Sequence, residues 1–176
     1  TLAVAIAPSC WRRNLDAYGG WTGMQLAATG RFRVEPVQGV WWLVTPTGRP
    51  FFSAGITSVR SFGDWAPDLD AYPYLDAILA QFGSTTAWAE DALAQIRGAG
   101  FNTIGAFSEV AWFRARFPYT EILTFSATAP IVPGTTNAFN SLRDFFDPAF
   151  LAGAAQTAEL ARPCAEDPFC IGVFTD

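Results

Sequence analysis

Residues 39–59 read GVWWLVTPTGRPFFSAGITSV, and one turn inside the run, with a second just before it, decides how the chain is organised. Pro46-Thr47-Gly48 interrupts the run, because Pro presets one turn dihedral and Gly supplies a positive φ. Upstream, Gln38-Gly39 separates VWWLVT from RFRVEPV at residues 31–37. Two β-rich segments joined by a two-residue turn predict a β-hairpin, and the hairpin feeds a buried strand around Phe51 to Val59.

Beyond Val59 the chain alternates. A connection from Phe62 to Thr86 is too long for a plain loop; it is expected to hold a short helix near Tyr74 to Phe82 and is long enough to reach over a site. The run AWAEDALAQIRGAG at 87–100 predicts a helix. Thr86 is a possible N-cap, Glu90 and Asp91 fall in the first turn, Trp88, Ala92, Leu93 and Ile96 recur at helical spacing, and Gly98 and Gly100 are stop signals. FNTIGAF at 101–107 is a buried strand, and SEVAWFRARF at 108–117 has the length of two to three helical turns. Pro118 stops it, and YTEILTFSA at 119–127 is rich in β-branched and aromatic residues, as a third strand would be. After a loop-like stretch, Asp147-Pro148 places an N-cap before a first-turn Pro, with Phe150, Ala154 and Ala158 on one face. Pro163 is expected to end this helix, and CIGVFTD at 170–176 is the fourth strand.

Strands separated by helices imply a parallel sheet with right-handed crossovers. A (β/α)8 barrel takes about 30 residues per unit. The 126 residues from Phe51 to Asp176 thus make about four units, the last without its helix. The expected fold is α/β, the N-terminal half of a (β/α)8 TIM barrel over residues 31–176, preceded by a β-hairpin, with residues 1–30 as an irregular leader. Half a barrel leaves an apolar inner face and a free strand edge, which calls for the remainder of the barrel C-terminal to Asp176 as a partner. An open α/β sheet is the alternative.

Composition narrows the chemistry. The chain has 176 residues, 51% hydrophobic and 15% charged, and its mean hydropathy of +0.20 suits a packed core. All 11 basic residues are Arg and there is no His, so imidazole catalysis and His-based metal sites are excluded in this segment. A net charge of −5 without a basic run argues against nucleic acid or an anionic membrane as partners. No apolar run of about 20 residues is present to span a bilayer. Seven Trp and 16 Phe serve core packing in most positions, and the Trp near loops are also candidates for ligand stacking. Cys164 and Cys170 are close enough in sequence to bridge, which suits a secreted or periplasmic protein; TLAVAIAP at the start reads either as the tail of a signal-peptide apolar region or as an ordinary buried segment.

Three phrases carry a family resemblance. GVWWLVTPTGRPFFSAGITSV resembles the hairpin and first strand of β-agarase-like glycoside hydrolases, GFNTIGAFSE resembles their second strand, and DPFCIGVFTD resembles their fourth. The similarity spans Phe32 to Asp176. It implies a retaining polysaccharide hydrolase, agar-type galactan foremost, using two carboxylates about 5 to 5.5 Å apart and no metal or organic cofactor. In that family the fourth strand runs on into Asn-Glu, the Glu being the acid/base, and the nucleophile ends the seventh strand. Both would lie beyond Asp176, so no catalytic residue is assigned here.

What remains is substrate binding at the carboxyl ends of the strands. Arg60 is suited to clamp a sugar or pair a carboxylate, with a surface role as the alternative. Trp65 and Trp112 follow strands one and two, where an indole face stacks on a sugar ring; loop or helix packing is the competing role. Ser108 and Glu109 end strand two, Glu109 either bonding substrate or serving as a helix first-turn acid. Asp176 ends strand four, contacting a sugar hydroxyl or capping the next loop. Trp41 and Trp42 are assigned to packing at the barrel floor, and Asn102 to a structural role at the start of strand two. A non-catalytic carbohydrate-binding protein on the same scaffold is the alternative function. A nucleotide- or phosphate-binding sheet is disfavoured, since no strand is followed by a G-x-G-x-x-G or P-loop sequence.

Overall fold

The computed structural model describes residues 14–135 and 141–175. Two sheets organise them. In the first, β1 (Arg33–Val37), β2 (Val40–Val44) and β3 (Pro50–Phe51) pair antiparallel in that order. Val37 pairs with Val40 around Gln38 and Gly39, whose φ values of 53° and 81° give the twist that a two-residue hairpin needs. Thr45 N–H bonds Arg49 O at 2.8 Å around the second turn, and Gly48 takes a φ of 83°.

The described part of the leader is tied to this second turn. Asp16 accepts from the hydroxyls of Thr45, at 2.7 Å, and Thr47, and from the backbone N–H groups of Tyr18 and Gly20. Trp21 N–H donates to Pro50 O at 2.7 Å. Four donors converge on one carboxylate, which gives an otherwise irregular segment a fixed seat.

The second sheet is parallel, with β4 (Gly55–Ile56), β5 (Thr103–Ile104), β6 (Tyr119–Leu123) and β7 (Cys170–Thr175) in sequence order. Between them run α1 (Pro73–Phe82), α2 (Thr85–Ala99), α3 (Pro148–Glu159) and α4 (Arg162–Glu166). The core lies between this sheet and α2, where Leu93 and Ile96 meet Val59, Ile104, Val110, Phe113, Phe117 and Tyr119. Gly105 permits close strand approach: a Cβ there would lie 2.8 Å from Thr57 Cγ2 and 3.3 Å from Ile56 O.

Several local expectations shift. The strand expected over 51–59 is split, because Phe51 pairs with Leu43 in the hairpin sheet and only Gly55–Ile56 enters the parallel one. Ser84, not Thr86, caps α2 by accepting from Ala87 N–H, so Glu90 and Asp91 fall two positions deeper than expected, past the first turn, and Glu90 pairs with Arg116 at 2.7 Å. Residues 108–117 form only a 3-10 turn at Val110–Trp112, because Val110, Phe113 and Phe117 are drawn into the core at once. Asp147 caps α3 through Ala149 N–H, as its place before Pro148 predicts. That helix ends at Glu159, before Pro163, which instead sits in the first turn of α4. Its packed face runs through Phe150, Gly153, Ala154 and Thr157, leaving Ala158 exposed. Trp41 is 70% exposed rather than packed.

Candidate functional site at the carboxyl ends of the parallel strands

The chain leaves β4 through Thr57 and turns sharply at Ser58, whose φ of 58° is the left-handed region that a serine rarely adopts. Phe107, three residues past β5, has a φ of 61°. These two turns are stitched together. Ser58 N–H donates to Ala106 O at 3.1 Å, Val59 N–H to Ser108 Oγ at 3.0 Å, and Ser61 N–H to the Glu109 carboxylate. Glu109 N–H donates back to Val59 O at 2.9 Å. Val59 and Ser61 are buried, so these bonds replace water that their amides cannot reach.

Arg60 lies between the two anchored amides and points outward. Its guanidinium sits 5.5 Å from the Phe62 ring centroid and 3.4 Å from Asp64 Oδ1. Asp64 is 96% exposed on its side chain, so the ion pair adds little and the ring contact does more to hold the arginine. Both residues border a cavity of about 460 Å³ with Ser58, Tyr74 and Trp88. It opens between the β4 end and the two following helices.

The sequence-derived candidates divide by environment. Trp65 is 45% exposed and meets Tyr72 edge-to-face at 5.0 Å, leaving indole surface toward solvent beside Arg60's loop. Trp112 packs against the core cluster. Ser108 and Glu109 face the backbone of the β4 loop. Asp176 lies outside the described residues. Asn102 binds at the opposite end of the sheet, donating to Phe52 O and accepting from Ala54 N–H.

Sequence reasoning passed over two residues. Phe107 and Phe174 are 57% and 50% exposed, and their rings lie 6.3 Å apart across the sheet. The register pairs Phe174 with Ile122, opposite the face on which Glu121 meets Val173. Alternation along FTD carries that signal, whereas Phe107 reaches it only through its unusual φ, which alternation cannot show.

No protein-family model matches the chain. Over 44 residues, 24% of this chain and 5% of the relative, it is 50% identical to Beta-agarase B of Vibrio sp. (strain JT0107). Among solved structures it resembles the agarase AgWH50C, with a TM-score of 0.74 at 22% identity over 93% of this chain and 31% of that one. It also resembles an exo-β-agarase, with a TM-score of 0.75 at 21% identity over 93% of this chain and 33% of that one. PfGH50B matches similarly, at 0.74 and 21% over 93% and 33%. The chain therefore has the mixed α/β fold found in part of these enzymes, and spans about a third of their length. The resemblance to β-agarase-like proteins holds in both sequence and fold.

Proposed function

We propose that the chain is the first half of a (β/α)8 glycoside hydrolase barrel, β4 to β7 being barrel strands one to four, whose parent cleaves O-glycosidic bonds of an agar-type galactan. The observation that carries this reading is the in-order parallel sheet whose carboxyl ends gather a built rim, combined with agarases as the structural neighbours. At that rim Trp65 stacks on a sugar face and Arg60 donates to its hydroxyls, while Ser108 and Glu109 hold the loop that carries them and Trp112 backs it. The parent supplies the two carboxylates of a retaining reaction from outside this segment, acts on neutral polysaccharide in a secreted or periplasmic setting, and needs no cofactor.

Reading the gene beyond the codon for Asp176 and assaying the parent on agarose tests the proposal. Asn-Glu directly after Asp176, with reducing ends released from agarose and lost when that Glu becomes Gln, is the expected result. A parent with non-acidic residues there, retaining agarose but releasing nothing, is a carbohydrate-binding protein instead.

A further inference from the structure

At the end of the sheet remote from this rim, Cys164 of α4 and Cys170 at the start of β7 flank a short turn. Both line a cavity of about 260 Å³ with Phe32, Asp167 and Val173, and both are partly buried free thiols. Cys164 Sγ lies 3.9 Å from Glu121 Oε2, and Cys170 Sγ lies 3.5 Å from Gly172 O. The two cysteines line the same cavity with five residues between them in the chain, and α4 packs against β7. Tyr119, in register with Cys170, closes the group with a buried hydroxyl that has no well-formed hydrogen bond. A metal centre does not account for the cluster, since no three ligating side chains converge among the described residues.

We propose that Cys164 and Cys170 form an oxidation site, closing to an intrachain disulfide that staples α4 to the first residue of β7. Each thiol releases its proton, one sulfur–sulfur bond forms, and the pair gives up two electrons. These reduce the disulfide of an exchange partner, a small-molecule or protein disulfide, to two thiols through a mixed disulfide. Helix and strand pack together and bring both cysteines to one cavity, so closure joins neighbouring elements rather than requiring a new fold. Burial pushes the Cys170 thiol up to about 12 and raises Cys164 as well, so thiolate is scarce once the protein has folded. The bridge therefore closes during folding, or slowly afterwards, and acts as a staple rather than a rapid switch. This inference is independent of the glycosidase reading.

The test uses the protein carrying Cys10→Ser, refolded in a glutathione redox buffer, quenched with acid, alkylated in denaturant and weighed. The expected result is a mass about 2 Da below the dithiol with neither Cys164 nor Cys170 alkylated. Dithiothreitol should then lower Tm by about 5 °C, and should have no such effect on the C164S/C170S variant. Alkylation of both cysteines after oxidising refolding overturns the proposal, as does a glutathione adduct on one cysteine beside a free thiol on the other.

Discussion

The Glu109 carboxylate accepts the backbone N–H of Ser61, so the turn after one parallel strand is fastened by the residue that ends its neighbour. The bond is charge-assisted and Ser61 is buried, and Val59 O receives the Glu109 N–H in return. Glu109→Ala leaves the Ser61 amide without a partner and is expected to cost about 2 kcal/mol. Glu109→Gln keeps an acceptor and should cost less than about 1 kcal/mol. Urea denaturation of both variants measures this; equal midpoints for Glu109→Ala and the parent sequence would contradict it.

Gly105→Ala should destabilise by about 2 kcal/mol, the usual scale for overpacking a tight contact. The added methyl meets Thr57 Cγ2 at 2.8 Å and the carbonyl of Ile56 at 3.3 Å, at the end of the adjoining strand and just past it. Thermal melting checks this. A companion Gly98→Ala faces open space within α2 and should be neutral or slightly stabilising.

Alkaline stability reports the partly buried cysteines in the reduced protein. Burial, then the neighbouring Cys164, raises Cys170 from its ordinary 9.0 to about 12. Below pH 9 both folded and unfolded chains keep the proton. Between pH 9 and 12 the unfolded chain releases it first, so stability falls as pH rises through this window. Burial raises Tyr119 in the same direction. Melting temperatures from pH 8 to 11 should fall less steeply for Cys170→Ala and Tyr119→Phe than for the unsubstituted reduced protein. Parallel slopes would refute the assignment.

Trp65 and Trp112 should separate on substitution. Trp112→Ala removes packing from the core cluster and is expected to cost about 2 kcal/mol in stability. Trp65→Ala removes a half-exposed ring held by Tyr72, so its stability cost should stay below about 1 kcal/mol. In the parent it should weaken agaro-oligosaccharide binding several-fold, measured by titration calorimetry. Undiminished binding would remove Trp65 from the site.

The isolated chain should not turn over a reporter glycoside, because the proposed acid/base and nucleophile lie outside it. Turnover above the buffer rate by this segment alone would refute that division of labour.

The order and kind of most main elements were legible from local residue patterns alone. Gln38-Gly39, Asp147-Pro148 and Gly100 act through local backbone preference, and each turn, cap or stop stands where local chemistry puts it. The resemblance of GVWWLVTPTGRPFFSAG and GFNTIGAFSE was equally legible, because turn and strand residues there are fixed by their neighbours. The contacts made by the residues at the strand ends came from the folded arrangement instead. Glu109 turns to Ser61, 48 positions away, and Asp16 gathers Thr45 and Thr47 across the leader. Phe51 leaves the parallel sheet for the hairpin, and the 108–117 segment forgoes a helix to bury Phe113 and Phe117. A carboxylate or a ring takes whichever partner the folded chain brings near, and that choice depends on non-local packing to which neither periodicity nor propensity has access.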